Sequence, residues 1–244
     1  MDSLFSLDGK TILVTGASSG IGKSIAILAS KMGANVIITA RREIKLRETL
    51  SEMQGDGHKY IVADLSKQDD IEALVENLSL LDGIVHCAGV GSRQLCKQVT
   101  REEINRVLEA NFVAPILLQT AILVKKKINK GASIVFLSSR GASAPAIANS
   151  VYSASKAAIS SYSQCLALEL APRGIRVNCI SPVMVWTDLI VRDGLDKKTL
   201  IENEKTYPLG RYGKPEDIAP LAIYLLGDSS SWMTTSDIKI SGGN

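Results

Sequence analysis

The sequence predicts an α/β fold: one doubly wound parallel sheet of about seven strands with helices on both faces. Three observations carry that prediction. Short Val/Ile/Leu-rich runs alternate with helical patterns along the whole chain, as strands buried on both faces require. The first run leads directly into a glycine-rich turn and a helix. No linker, repeat or low-complexity tract divides the 244 residues, so a single domain over 1–244 is expected.

The expected strands are Thr11–Val14, Asn35–Thr39, Lys59–Val62, Gly83–Cys87, Ser133–Leu137, Arg176–Cys179 and Asp237–Ile240. Helix ends between them are marked by their own chemistry. Gly33 is suited to cap the helix after the first strand. Thr100 and Glu103 form a capping-box pattern for a long helix to about Lys127. Pro172 and Gly174 close a helix over 150–171, and Pro215 fits the first turn of a helix ending near Gly227. Right-handed crossovers then place any ligand at the carboxyl ends of the strands. Pro115 lacks the N–H that would bond the Asn111 carbonyl, so a kink and a freed carbonyl are expected there.

Composition excludes several function classes. The net charge of +3, from 28 basic and 25 acidic residues, is too balanced to make nucleic acid or an anionic membrane the main partner. The N-terminus carries acids where a signal peptide has bases, and the apolar run Val113–Val124 is too short to span a bilayer. A soluble, cytoplasmic protein is expected. Cys87, Cys96, Cys165 and Cys179 form no Cys-x-x-Cys pair and read as buried reduced thiols. With only His58 and His86 as histidines and no carboxylate cluster, no metal site is expected. His86 is given no catalytic role.

The turn after the first strand is Thr15-Gly16-Ala17-Ser18-Ser19-Gly20-Ile21-Gly22. Its glycines permit close backbone approach, and the following helix offers free N–H groups to a pyrophosphate. Gly16, Ser18, Ser19, Gly20, Ile21 and Gly22 are therefore candidate dinucleotide contacts. The second strand ends in Ala40-Arg41-Arg42, with no acid to hold the adenosine ribose hydroxyls. Arg41, with Arg42 beside it, suits a 2′-phosphate, so NADP(H) is expected over NAD(H). Asp64, after the third strand, is placed either to accept from the adenine amino group or to cap the helix near Ser66.

Tyr152 and Lys156 sit four residues apart, which stacks phenol and ammonium on one helix face. A tyrosine titrates near pH ~10 in isolation, and a cation one turn away favours the phenolate. A serine hydroxyl such as that of Ser139 can polarise a carbonyl oxygen beside them.

Thr15–Gly22, Asn111, Ser139, Tyr152 and Lys156 together closely resemble the short-chain dehydrogenase/reductase family, over essentially the whole chain. Pro208–Ala219 looks most like its 3-oxoacyl-(acyl-carrier-protein) reductase branch, which serves fatty acid biosynthesis. The resemblance implies a Rossmann-like fold with Tyr152 as general acid. It implies that Lys156 holds the nicotinamide ribose and lowers the tyrosine pKa, Ser139 bonds the substrate oxygen, and Asn111 anchors a proton-relaying water. Leu65 beside Asp64, Ala88-Gly89, Pro182 and Thr187 complete the implied coenzyme contacts. Two positions depart from the family pattern. Cys87 stands where relatives have an amide, with some loss of rigidity expected, and Val183 stands where they have glycine beside the nicotinamide.

Residues 184–208 suit a substrate lid, in which Met184, Trp186, Leu189, Ile190 and Leu195 line an apolar pocket or pack the lid itself. The implied activity is NADPH-dependent reduction of a ketone, with a 3-oxoacyl thioester as candidate substrate. Lys125, Lys126, Lys127, Lys130 and Arg173 are candidate contacts for an acyl carrier protein, or an ordinary solvated surface. A polyol or secondary-alcohol dehydrogenase and a non-catalytic cofactor-binding regulator remain alternatives. The family's helix pairing implies a homodimer or homotetramer.

Overall fold

The strand-forming runs assemble into one sheet in the order β3-β2-β1-β4-β5-β6-β7, parallel throughout. A computed structural model describes residues 5–192 and 196–244. The strands are β1 Thr11–Thr15, β2 Asn35–Ala40, β3 Lys59–Val62, β4 Leu81–His86, β5 Ile128–Leu137, β6 Arg176–Pro182 and β7 Asp237–Ile240. β3 and β7 match the sequence reading. β5 and β6 run longer, because Ile128 and the Ile180–Pro182 segment continue the ladder past the apolar runs that announce them.

Alternation within each strand divides the core. Ile12, Val14, Val36, Ile38, Val85 and Ile180 pack beneath α1 (Gly20–Lys31), α2 (Glu43–Ser51) and α9 (Pro215–Leu226). Leu13, Ile37, Ile84, Ile134, Phe136 and Val177 face α3 (Gln68–Glu76), α5 (Ala114–Val124) and α6 (Ser150–Leu170). Burial on both faces is why these strands read as unbroken apolar runs. β1 lies between β2 and β4; the side on which successive strands are added switches there, opening a crevice at the strands' carboxyl ends.

The helix entered at Thr100 departs from the expected form. Thr100 Oγ1 accepts from the Glu103 N–H at 3.2 Å, but the Glu103 carboxylate turns to Arg106. α4 (Arg101–Leu108) gives way to one π-helical turn at Glu109–Val113 before α5 resumes. This wider turn is how the chain accommodates Pro115, and the helix ends at Val124, not Lys127. The continuous rod Arg101–Val124 is longer than the apolar run read from sequence and, by length and composition, long enough to cross a membrane. Val107, Leu118 and Ile122 on it are buried in the protein. Gly33 and Gly174 take left-handed φ of 91° and 69° after α1 and α6, as their capping role requires.

The 184–208 region contributes α7 (Asp188–Arg192) and α8 (Lys197–Glu204). Its Ile190, Leu200 and Tyr207 build a small core with Tyr212 just beyond it, against which Val183, Met184 and Trp186 pack. Trp186 donates to Glu204 at 2.7 Å, so Met184 and Trp186 pack within this segment; Leu195 lies outside the described residues. The cysteine expectation holds in part: Cys179 is buried and Cys87 half-buried, but Cys96 and Cys165 are exposed.

Candidate active site

One cleft of about 840 Å³ runs along the carboxyl edge of the sheet. It is bounded by the glycine-rich turn, the tips of β2, β3 and β4, the Tyr152 face of α6, and the Pro182–Ile190 segment. Gly16 and Gly20 have φ of 68° and 56°, open to glycine but strained for other residues. A Cβ on Gly16 would lie 2.8 Å from the Ala88 backbone, and one on Gly20 would lie 3.1 Å from Thr187 Cγ2. The turn is therefore a cradle in which backbone replaces side chain, the form a dinucleotide pyrophosphate needs at a helix N-terminus.

Arg42 donates to Ser18 Oγ at 3.0 Å and Ser19 Oγ at 2.8 Å, and its guanidinium approaches Asp188 of α7 at 3.7 Å. Arg42 thus laces the β2 tip to the turn and to α7, joining residues too far apart in sequence for the link to be read from it. Arg41 is exposed on the same cleft wall and acts electrostatically on Asp64. Asp64 Oδ1 accepts both the N–H and the hydroxyl of Ser66. Although burial works in the opposite direction, these bonds and nearby cations hold its carboxyl below the ordinary value. It closes the turn before α3, which begins at Gln68, and does not cap the helix itself.

Ala88 and Gly89 line the cleft with Leu65, Pro182 and Thr187. The Thr15 hydroxyl accepts the N–H groups of Cys87 and Ala88 at 3.0 and 3.1 Å. That pair of bonds ties β1 to the β4 tip. Burial pushes the Cys87 thiol up to about 12. Val183 lines the cleft and its φ is not positive, so valine sits there without backbone strain.

Lys156 is buried, and its Nζ donates to the Leu137 carbonyl at 2.8 Å. Burial lowers its pKa to about 8, against small opposing contributions from Cys87 and Cys179. The ammonium stands 5.9 Å from the centre of the Tyr152 ring. Ser139 caps a short 3₁₀ turn, its Oγ accepting the Gly141 N–H at 3.1 Å. A Cβ on Gly141 would meet Ser139 Oγ at 3.3 Å and Tyr152 Cε1 at 3.9 Å, which brings the serine hydroxyl and the phenol ring to the same glycine. Ser138, not Ser139, belongs to the cleft wall.

Asn111 sits in the π-helical turn, buried behind the cleft. Its side chain receives the Val90 N–H at 2.8 Å and donates to the Val90 carbonyl and Ser155 Oγ, both at 3.0 Å. A Cβ on Gly89 would lie 2.9 Å from Asn111 Oδ1 and 3.6 Å from Lys156 Nζ, so Asn111 and Lys156 flank Gly89. His86 stays outside this chemistry: its Nε2 pairs with Gln119, its ring stacks on Phe136, and burial lowers its pKa to about 4. Among the described residues no group of His, Cys, Asp and Glu is placed to hold a metal.

Residues 16–244 match the family model described as enoyl-(acyl carrier protein) reductase. A 3-oxoacyl-(acyl-carrier-protein) reductase FabG of Rickettsia conorii is 35% identical over 242 residues, spanning 98% of each chain. The chain belongs to the short-chain dehydrogenase/reductase family. An L-xylulose reductase of Caenorhabditis elegans is 34% identical over 253 residues, covering 100% of this chain and 98% of its own. A dehydrogenase/reductase crystal structure from Sinorhizobium meliloti 1021 superposes with a TM-score of 0.90 at 32% identity, covering 98% of this chain and 96% of that one. As a short-chain dehydrogenase/reductase, the protein is an NAD(P)-dependent oxidoreductase of the CH–OH/C=O class.

Proposed function

We propose that the protein reduces a ketone to a secondary alcohol with NADPH, and that the ketone is a 3-oxoacyl thioester. The observation that carries this reading is the placement of Tyr152 and Lys156 on the cleft wall beside the glycine cradle, with Ser139 meeting Tyr152 at Gly141. Gly16, Ser18, Ser19, Gly20, Ile21 and Gly22 hold the coenzyme pyrophosphate, Ala88 and Gly89 the adenosine side, and Pro182 and Thr187 the nicotinamide. When bound, NADPH supplies a hydride.

The chain's own groups handle the oxygen and the proton. The acceptor face of Ser139 is occupied by the Gly141 N–H, which leaves its hydrogen to point at the substrate carbonyl. Tyr152 donates its proton to that oxygen as negative charge builds there, a fixed donor pair being worth more than solvent. Lys156, held on the Leu137 carbonyl, orients the nicotinamide ribose and favours the phenolate left behind. Asn111 supports a water that returns the proton; its side chain is engaged by Val90 and Ser155, so its backbone carbonyl serves as the anchor.

Arg41 and Arg42 favour the 2′-phosphate. Lys127 and Arg173 are committed to backbone carbonyls at Glu76, Leu78 and Ile128, which leaves Lys125, Lys126 and Lys130 as the exposed cations for a carrier protein. Exposed Ile104, Leu117, Val124 and Leu168 suit a homodimer or homotetramer in the cytoplasm. The resemblance to an L-xylulose reductase supports a second reading, a polyol or sugar dehydrogenase.

The test is NADPH oxidation against a panel of 3-oxoacyl thioesters, simple ketones and ketoses, repeated with NADH. A 3-oxoacyl thioester as best substrate is expected, with NADPH preferred about tenfold or more, the worth of one charge-assisted contact. Arg41→Ala and Arg42→Ala should erase the coenzyme preference. A ketose as best substrate would establish the second reading, and tight NADPH binding without turnover of any carbonyl would refute both.

A further inference from the structure

A chain of side-chain hydrogen bonds leaves the active site and ends on β7. Ser138, adjoining Ser139, is buried and its Oγ lies 3.1 Å from the Lys156 carbonyl and 2.7 Å from Ser160 Oγ. Ser160 donates to Asp237 Oδ2 at 2.9 Å, and Ser181 donates to Asp237 Oδ1. Ser160 lies one helical turn beyond Lys156, and Ser181 adjoins Pro182. One carboxylate on the edge strand thus joins the β5 tip, the β6 tip and the active face of α6.

The proton count gives this chain a direction. Two hydroxyl hydrogens, those of Ser138 and Ser160, serve three contacts. The Asp237 carboxylate takes the Ser160 hydrogen, which leaves the one Ser138 hydrogen to the Lys156 carbonyl and Ser160 Oγ, both on α6, so Ser138 is drawn toward that helix. Ser138 is fixed from the other side by its N–H on the Ile180 carbonyl at 2.9 Å. Its neighbours on the strand are Leu137, whose carbonyl holds the Lys156 ammonium, and Ser139. Displacement of Ser138 therefore moves the anchor of the lysine and the substrate-facing serine together.

We infer that Asp237 is a positioning residue for the reaction, acting through Ser160 and Ser138 to set the β5 tip against α6 without touching coenzyme or substrate. The inference rests on the proposed ketone reductase activity for its kinetic readout. Asp237→Ala should lower kcat about tenfold, the scale of a sub-ångström displacement of reacting groups, with NADPH affinity and melting temperature near wild type. Asp237→Asn should restore most of that loss: its amide still accepts from Ser181 and donates to Ser160, running the same links in reverse. Because the effect travels through Ser160, the double variant Ser160→Ala/Asp237→Ala should fall no further than the worse single variant.

Four results would overturn the inference: an unchanged kcat in Asp237→Ala, equal losses of kcat and NADPH affinity, an Asn variant as impaired as Ala, or additive effects in the double variant. Hydrogen exchange of peptides spanning 137–142 separates this from failure of the activity itself. If wild type turns over no ketone, faster exchange there in Asp237→Ala still supports the positioning role, and unchanged exchange refutes it.

Discussion

Replacing Lys156 with methionine should abolish activity and leave the coenzyme-free protein more stable. The ammonium is buried and donates to one carbonyl, that of Leu137. Burial pushes its neighbours Cys87 and Cys179 up to about 12 and about 11, so both are thiols at neutral pH, and their opposing contributions leave the lysine well below its ordinary value. The fall of the lysine from 10.5 to about 8 corresponds to roughly 3 kcal/mol against the charged form at neutral pH. Methionine keeps the apolar stem and removes the charge, but gives up the bond to Leu137, worth about 1.5–3 kcal/mol. The net expectation is a gain of about 1 kcal/mol, or about 2–4 °C in melting temperature for a chain of this size.

The pH dependence supplies the sign. Between about pH 8 and 10.5 the unfolded chain keeps the lysine proton that the folded protein has released. Stability contributed at this site therefore rises with pH across that window. Melting curves of wild type and Lys156→Met, taken as a difference at neutral and alkaline pH, isolate the term from other titrating groups. The variant's advantage should shrink as pH rises. A variant less stable than wild type at neutral pH, or a difference that does not change with pH, would refute the reasoning.

Three further outcomes are expected. Gly89→Ala drives its methyl to 2.9 Å from Asn111 Oδ1, displacing the acceptor of the Val90 N–H; stability should fall by about 1–3 kcal/mol in denaturant melts, with coenzyme binding lost in titrations. Thr235, a β-branched residue at φ 60°, should gain about 1 kcal/mol on replacement by glycine, read as a raised melting temperature. His86 falls from 6.5 to about 4 on folding, so only the unfolded chain takes up its proton between those values. Stability should therefore drop as pH falls through that window, by up to roughly 3 kcal/mol, and His86→Asn should remove that part of the acid sensitivity in denaturation series at pH ~7 and ~4.5.

The elements most legible in the sequence are those written in contiguous residues. Lys59–Val62 and Asp237–Ile240 announced their strands, Thr15–Gly22 its turn, and the four-residue step from Tyr152 to Lys156 its shared helix face. Pro115 signalled a break, though not that it would take the form of a π-helical turn opening on Asn111. What stayed hidden depends on pairs distant in sequence. Arg42 meets Asp188, and Asp237 meets Ser160 and Ser181, only after the sheet has ordered the strand tips. The exposure of Cys165 was equally unreadable, since α6 carries small and apolar residues around most of its circumference and no stripe marks its buried side.

The small core around Tyr207 has a consequence for how new specificities arise on this scaffold. Tyr207, Tyr212 and Leu200 consolidate the 184–208 segment, while the Val185–Gly213 bridge and the Arg211–Asp217 pair moor it to the body. Leu189 faces the cleft and belongs to none of those fastenings. Its size and polarity are thereby open to exchange while the machinery beneath is left undisturbed, which makes it a natural place for selection to retune the accepted substrate.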